Sequence, residues 1–121
     1  MNITIAFNER EQWFLSFVFV EVFGGGSTRI IQNILGGYVE AARNLASKVR
    51  LQTEAGLPAL NLTGDEWRVM YESLNAVIYG LGPNELHTCT GHNLQEACSI
   101  NLKICAAVWG AHGVGRAWVG S

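Results

Sequence analysis

Large apolar residues alternate with polar or small ones over residues 3–7, where Ile, Ile and Phe are separated by Thr and Ala. Alternation of this kind is typical of a strand with one buried face. Residues 13–22 form a second apolar run, rich in the aromatic and β-branched side chains that favour strands. The polar residues 8–12 between the runs are interpreted as a turn. The pattern therefore predicts an antiparallel sheet over residues 1–23.

From residue 28 onward the apolar residues have the spacing of a helix. Apolar side chains recur at steps of three or four, at Ile31, Leu35, Tyr38, Ala42, Leu45 and Val49. This spacing predicts an amphipathic helix over residues 28–54. Gly36 and Gly37 lie in its middle, and each costs roughly 1 kcal/mol relative to alanine. Either the helix continues through this pair, or it begins after it and residues 30–35 form another strand.

The next helix has clear boundary signals. Residues 56–58 stop the preceding segment, and residues 63–66, Thr-Gly-Asp-Glu, form a capping box. Leu62 and Trp67 flank this box as a hydrophobic staple. The helix is expected to end at residues 80–83, Gly-Leu-Gly-Pro, because glycine permits a left-handed stop and proline blocks continuation.

The last predicted helix starts with the same capping pattern at residues 93–96 and ends at Trp109, before Gly110. Residues 111–121 are predicted to be an irregular tail. The 121 residues contain no linker and suit one domain. The expected fold is a single α+β domain, with N-terminal antiparallel strands followed by two or three α-helices, residues 28–110 being mainly helical.

The composition adds a surplus of apolar surface to this picture. Hydrophobic residues make up 49% of the chain and charged residues 15%, with four tryptophans and five phenylalanines. A small monomer has little interior in which to bury them, which predicts a homo-oligomer. The formal net charge of −2 argues against duplex nucleic acid as a partner, because its binders carry a basic stripe. A small cyclic nucleotide-type ligand, with few phosphates, remains compatible with this charge.

The cysteines and the N-terminal sequence indicate a cellular compartment. The three cysteines are odd in number and confined to the last third of the chain, unlike a secreted disulfide framework. The start of the chain lacks the pattern of a signal peptide. Residues 13–23 are too short for a spanning helix and are interrupted by Ser16 and Glu21. The expectation is a cytoplasmic protein without a membrane partner.

Residues 85–96 contain the densest group of polar side chains, with two histidines, a thiol, two hydroxyls and an amide near a glycine. Core packing does not require such a group, so we interpret it as a ligand-binding loop. The helix that follows presents free N–H groups at its positive end, which favours a phosphate. The candidate ligand-binding residues here are Leu86, His87, Thr88, Thr90, His92 and Asn93. The alternative is that Asn93 only caps the helix while the histidines lie on the surface.

Metal binding and catalysis are less favoured interpretations of the same loop. Two histidines and two cysteines between residues 87 and 98 are competent zinc ligands, but their spacing matches no established zinc site. Cys89 or Thr90 could act as a nucleophile with a neighbouring histidine, but no orienting carboxylate is evident beyond Glu85. The expectation is that the chain has no metal, no cofactor and no catalytic residue.

A second group of candidates combines glycines with arginines. Gly25 and Gly26 allow the backbone to approach a ligand, and Arg29 can fork onto a phosphate. Arg43 and Arg50 are seven positions apart on one helix face and would add a positive rim. A flexible turn and a solvated helix face are the plain alternatives. The aromatic residues that could stack on a base are Trp13, Tyr38, Trp109 and Trp118.

Four segments together resemble the small phage Thoeris anti-defence sponge proteins of the first described type. They are Phe-Gly-Gly-Gly at 23–26, Gly-Gly-Tyr-Val-Glu-Ala-Ala at 36–42, Leu-Asn-Ala-Val-Ile-Tyr-Gly at 74–80 and Glu-Leu-His-Thr-Cys-Thr-Gly at 85–91. The resemblance implies a small α+β oligomer that sequesters cyclic ADP-ribose isomers made by bacterial TIR-domain enzymes, without catalysis. It also implies that some members bind cyclic oligonucleotides at separate sites, in the cytoplasm of an infected bacterium. The residues leave two alternatives, an inhibitor that binds a host defence protein and a small enzyme using histidine or cysteine.

Overall fold

The computed structural model describes residues 2–109, which form five α-helices and two β-strands. The elements are β1 (Asn2–Ala6), α1 (Glu9–Phe23), α2 (Thr28–Leu35), α3 (Val39–Glu54), β2 (Ala59–Thr63), α4 (Gly64–Thr90) and α5 (Leu94–Val108). Helices that accompany a small antiparallel sheet confirm the predicted α+β class in outline, but the prediction of two or three helices is wrong, because residues 2–109 form five. The predicted stop at Gly110, the tail at residues 111–121 and the side chain of Cys89 lie outside the described part of the chain.

Helix α1 occupies the segment predicted as the second strand, so the prediction of a sheet over residues 1–23 is wrong beyond β1. Residues 8–12 begin this helix and do not form a turn. Asn8 Oδ1 accepts the backbone N–H of Glu11 at 2.8 Å, and Glu11 Oε1 accepts that of Asn8 at 2.9 Å. These reciprocal bonds satisfy N–H groups that lack partners at a helix start. The buried apolar residues of α1 recur at helical spacing, at Phe14, Leu15, Val18, Phe19 and Val22.

Strand β1 pairs with β2, which lies far from it in sequence. The two strands are antiparallel, with Ile3 opposite Leu62 and Ile5 opposite Leu60. One face of the sheet packs against the helices, because Ile5, Leu60 and Leu62 are buried. The buried indole of Trp67 fixes α4 to this sheet by donating from Nε1 to the Ile3 carbonyl oxygen at 2.8 Å.

The pair Gly36 and Gly37 breaks the long segment predicted as one helix. The chain leaves α2, makes a single 3-10 turn at Gly36–Tyr38 and continues directly as α3. Gly36 has φ of 60° and ψ of −123°, a conformation that residues with a Cβ rarely adopt. The helical pattern is therefore confirmed on both sides of the break, and the alternative strand over residues 30–35 is wrong.

Helix α4 begins at the predicted capping box. Thr63 Oγ1 accepts the Glu66 N–H at 3.1 Å, and Glu66 Oε1 accepts the Thr63 N–H at 2.8 Å. Leu62 and Trp67, the predicted staple residues, are both fully buried beside this start. The start signals of α4 are thus confirmed in full.

The predicted stop near Gly82 is confirmed as a local break, but the helical path resumes after it. Gly82 has φ of 77° and ψ of 167°, which interrupts the helical geometry. Pro83 then opens a second helical stretch, a position that proline tolerates because its missing N–H has no partner there anyway. This stretch reaches Thr90, and the chain turns away only at Gly91, with φ of 74°. The loop predicted over residues 85–91 is therefore wrong up to Thr90.

Helix α5 packs against α4 and β1 and completes the described fold. Its predicted cap is confirmed, because Asn93 Oδ1 accepts the Glu96 N–H at 2.8 Å. Within residues 2–109, no single helix is long and apolar enough to cross a membrane; Glu9–Phe23 and Thr28–Glu54, bent by 99° at their junction, pass that test of length and composition only as a pair.

An acid-sensitive contact joins α3 to the start of α4. Lys48 Nζ donates to Glu66 Oε1 at 2.7 Å. Partial burial is the largest single influence and raises the pKa of Glu66, but Lys48 and Thr63 together outweigh it, so the pKa lies below the ordinary glutamate value. The folded protein therefore holds fewer protons here than the unfolded chain. The resulting stability is present above the ordinary glutamate pKa and disappears as the pH falls through the lowered one.

We expect Glu66→Gln to weaken the dependence of stability on pH in this acidic range. At neutral pH the free energy of unfolding of the variant should fall by about 0.5–2 kcal/mol, because the carboxylate of the capping box and its ion pair with Lys48 are lost. Urea unfolding at a series of pH values measures both effects. Lys48→Met removes the same ion pair from its other side and should shift the pH profile in the same direction; an unchanged slope in both variants would contradict the assignment.

Candidate ligand-binding groove

The polar side chains of residues 85–96 converge only in part. His92 and Asn93 line a cavity of about 340 Å³ together with Gln95 and Glu96, but the predicted residues of the first half do not line it. Leu86 is fully buried in the core, whereas His87 and Thr88 are exposed. The hydroxyls are bound within their own helix, Thr88 Oγ1 donating to the Asn84 carbonyl at 3.0 Å and Thr90 Oγ1 to that of Leu86 at 2.6 Å. This helical end therefore presents fewer free hydrogen-bonding groups than the loop predicted from sequence.

The N-terminus of α5, predicted to favour a phosphate, is occupied by the protein's own carboxylate. Asn93 and Glu96 form a reciprocal cap, and Arg10 Nε contacts Glu96 Oε2 at 3.3 Å while its Nη2 donates to the Gly91 carbonyl at 3.0 Å. The Arg10 guanidinium, the largest influence, holds the pKa of the Glu96 carboxyl below its ordinary value. A negative charge already fills the position that an anionic ligand would take, so the alternative that Asn93 caps the helix fits the geometry better.

His92 is a buried residue of the turn between α4 and α5. Its ring lies 4.6 Å from the Phe14 ring, and Nδ1 is 3.0 Å from the Thr90 carbonyl oxygen. Because a carbonyl only accepts, Nδ1 carries the proton in this contact. Nε2 has no hydrogen-bond partner among residues 2–109 and lies 4.0 Å from Glu96 Oε2. These contacts place His92 in the packing of α1 against the turn, whereas His87 is exposed. The alternative that both histidines lie on the surface therefore holds for His87 only.

The glycine run after α1 is also a poor anion site. A Cβ built on Gly25 would lie 2.6 Å from Glu21 Oε1, so the glycine passes directly over a buried carboxylate. Thr28 Oγ1 holds this turn by donating to the Gly25 carbonyl at 2.8 Å. Close approach to the backbone of Gly25 and Gly26 would bring a phosphate near Glu21, which opposes the predicted role of these glycines; Arg29 is exposed beside them.

Arg43 and Arg50 lie on α3, as predicted, and each has a partner. The Arg43 guanidinium lies 4.6 Å from the centre of the Phe23 ring and 3.8 Å from Glu40. Arg50 contacts Glu54 at 3.4 Å, one turn further along the helix. All four charged side chains are largely exposed, and exposed ion pairs contribute little, so both guanidinium groups remain available to an anion.

Helices α1 and α3 border an open groove of about 460 Å³, called here the α1–α3 groove. Trp13, Phe17 and Val20 line it from α1, at the spacing of one helical stripe, and are 37%, 44% and 54% exposed. Phe23, the last residue of α1, also lines the groove, and α3 contributes Arg50 to the lining. Contiguous exposed apolar side chains with a polar rim are characteristic of interaction sites.

A second cavity of about 430 Å³ shares Trp13 and Glu54 with this groove and is called here the inner cavity. Gln12 and Thr53 are among its lining residues, and both are more than nine-tenths buried. Gln12 Oε1 and Thr53 Oγ1 have no hydrogen-bond partner within the described residues. Buried polar atoms in folded proteins almost always have a partner. Both oxygen atoms are closed to solvent, so they lie in the packing behind the cavity and do not form its surface.

The remaining candidates lie elsewhere. The Trp109 ring packs edge-on against Tyr71 of α4 at 4.9 Å and is not part of the groove lining. Cys98 is exposed, and burial raises the pKa of the half-buried Cys105 thiol, which disfavours its reactive thiolate. No cluster of three or more histidine, cysteine or acidic side chains suited to a metal occurs in residues 2–109 as far as they are described.

No family model, no curated protein and no solved structure matches this chain.

Proposed function

We propose that the protein binds and sequesters a small nucleotide-type ligand in the α1–α3 groove without transforming it. The observation that carries the proposal is the combination of Trp13 and Phe17 with Arg50 in one groove lining. Stacking of a base on an aromatic side chain contributes about 1–3 kcal/mol. A guanidinium fork suits a phosphate or pyrophosphate. The volume of about 460 Å³ is of the size that small-molecule sites use.

The chemistry of the groove favours retention over turnover. The charged side chains in its lining are Arg50 and Glu54, which pair with each other, and its hydroxyls belong to Ser16 and Ser47. Nucleophilic catalysis requires a base within hydrogen-bond reach of the nucleophile. The groove lining includes neither histidine nor cysteine.

The ligand class that best suits such a site is a cyclic ADP-ribose isomer, with cyclic oligonucleotides as a related class. Such a ligand carries a flat base for Trp13 and an anionic group for Arg50. Sequestration of this signal in an infected bacterium would counteract anti-phage defence, which is the role that the resemblance described above implies.

A second candidate function is protein binding, through the helix that follows the glycine run. Ile30 and Ile34 lie four positions apart on α2, are 56% and 49% exposed, and are not part of the groove lining. An apolar pair of this kind suits a second copy of the chain or a host defence protein. Binding through this face would be insensitive to salt and would not require a nucleotide.

Native mass spectrometry with cyclic ADP-ribose isomers, ADP-ribose and cyclic dinucleotides tests the proposed function. We expect stoichiometric retention of an intact ligand, which is recovered unchanged after the protein is heated. Trp13→Ala should weaken binding roughly 5- to 150-fold, the equivalent of losing one stacked base. Isothermal titration calorimetry measures this difference.

Tyr79→Ala is the matched control, because Tyr79 is an aromatic residue of α4 that is 78% exposed and not part of the groove lining. This variant should bind as the wild type does. A chemically altered ligand would instead indicate an enzyme. Failure of every nucleotide to bind at micromolar concentration would favour the protein-binding function.

A further inference from the structure

The guanidinium group of the α1–α3 groove already has a carboxylate beside it. Among the described residues, Arg50 is the one cation in the groove lining, and its Nε donates to Glu54 Oε2 at 3.4 Å. A guanidinium carries five N–H donors, so the two Nη groups remain available to a phosphate. A phosphate bound there and the Glu54 carboxylate would lie at two edges of the same guanidinium. One positive charge would then face two negative groups.

Glu54 also brings negative charge to the place where the groove meets the inner cavity. It lines both, and it is the last residue of α3, where the helix carries a partial negative charge. The other charged side chain in the described lining of the inner cavity is the carboxylate of Glu9. The phosphates of a ligand are therefore restricted to the Arg50 end of the groove.

The other arginine of this α3 face does not supply additional positive charge to the groove. Arg43 lies seven residues before Arg50, which is roughly 10 Å along a helix. Its Nε is 3.8 Å from Glu40 Oε1, and neither residue is part of the groove lining. Each arginine thus has its own glutamate, so the face offers no excess of positive charge to a chain of phosphates.

Resting on the proposed function, we infer that Glu54 cancels the attraction of Arg50 for additional phosphates, so that the groove does not favour nucleoside triphosphates over nucleotides with fewer charges. Two unit charges 4 Å apart in water change an equilibrium constant by about fivefold. Each added phosphate is attracted by Arg50 and repelled by Glu54 to a similar extent. Repulsion of the wrong ligand is a general route to specificity, and here it keeps polyphosphates from displacing a less charged signal.

Calorimetric titration with adenosine, AMP, ADP and ATP, in the absence of divalent cations, tests this inference. The wild type should bind ATP no more tightly than AMP. Glu54→Gln keeps an oxygen that accepts from Arg50 but removes the charge. In this variant the affinity should rise by about 2- to 5-fold with each added phosphate. Adenosine carries no charge, so its affinity should be the same for both proteins.

Glu40→Gln is the matched control, because it removes the same charge from an ion pair of the same helix outside the groove lining. It should show the wild-type series. An unchanged series in Glu54→Gln, or an equal rise in Glu40→Gln, would overturn the role of Glu54 and leave nucleotide binding intact. A changed affinity for adenosine in Glu54→Gln would also overturn it, since the carboxylate would then contact the base or sugar. If the wild type binds none of the four probes, both proposals fail.

Discussion

Replacement of Trp67 by alanine is expected to lower the free energy of unfolding by about 3–5 kcal/mol, as for other large buried aromatic residues. Trp67 is fully buried at the junction of the sheet and α4, 6.1 Å from the Phe7 ring. Truncation leaves a cavity and also removes the donor to the Ile3 carbonyl oxygen. Since small domains are stable by only about 5–15 kcal/mol, this is a large share of the total. Urea unfolding followed by circular dichroism measures the loss.

Trp67→Phe separates the two contributions. Phenylalanine fills much of the space but has no N–H, so this variant should fall between the wild type and Trp67→Ala. Tyr79→Ala, at a side chain that is 78% exposed, should stay within about 0.5 kcal/mol of the wild type. If Trp67→Ala lowered the free energy of unfolding no more than Tyr79→Ala does, Trp67 would not hold the sheet against α4.

The second large effect is expected at Gly82, where alanine should cost about 1–3 kcal/mol. With φ of 77° and ψ of 167°, Gly82 occupies a backbone region that is essentially restricted to glycine. A Cβ at this position would meet no atom within 4 Å, so the penalty comes from backbone strain and not from a steric clash. Urea unfolding measures this penalty as a lower midpoint concentration, while the dependence of the unfolding free energy on urea stays the same.

Gly37→Ala provides the matched control. A Cβ at Gly37 would also meet nothing within 4 Å, but this glycine does not have a positive φ. Alanine there should be neutral or stabilising by up to about 1 kcal/mol, because it restricts the unfolded chain. Equal effects of the two substitutions would mean that α4 runs through Gly82 without a break.

The helix starts at Thr63 and Asn93 could be predicted because capping depends on residues only three positions apart. Helix α1 could not, although Asn8 and Glu11 present the same pattern. Its inward residues, such as Phe14 and Val18, alternate with outward apolar residues such as Trp13 and Phe17. A helix that is apolar on both sides shows no period in sequence, so the preference of its residues for strands determined the prediction.

The candidate site was predictable only in part. Helical spacing alone placed Arg43 and Arg50 on one face of α3, because such spacing needs no tertiary information; of the two, Arg50 lines the groove. The burial of the Gln12 side chain could not be predicted, because its amide is held by a hydrogen bond to the Leu57 carbonyl oxygen, 45 positions away in sequence. Thr88 and Thr90 were predicted to offer free hydroxyls to a ligand. In the structure these hydroxyls donate to carbonyl groups of their own helix, which the sequence did not predict in this segment.

The pairing of β1 with β2 also has a consequence for biosynthesis. Thr4 and Asn61, which are bonded across the sheet, are 57 positions apart, so β1 leaves the ribosome long before its partner has been translated. Closing a loop of this length costs entropy that local helix formation avoids. Helix α1 can therefore form early behind its own cap, while Ile5 and Phe7 stay uncovered. Strand β1 completes its pairing only after the three helices between it and β2 have emerged.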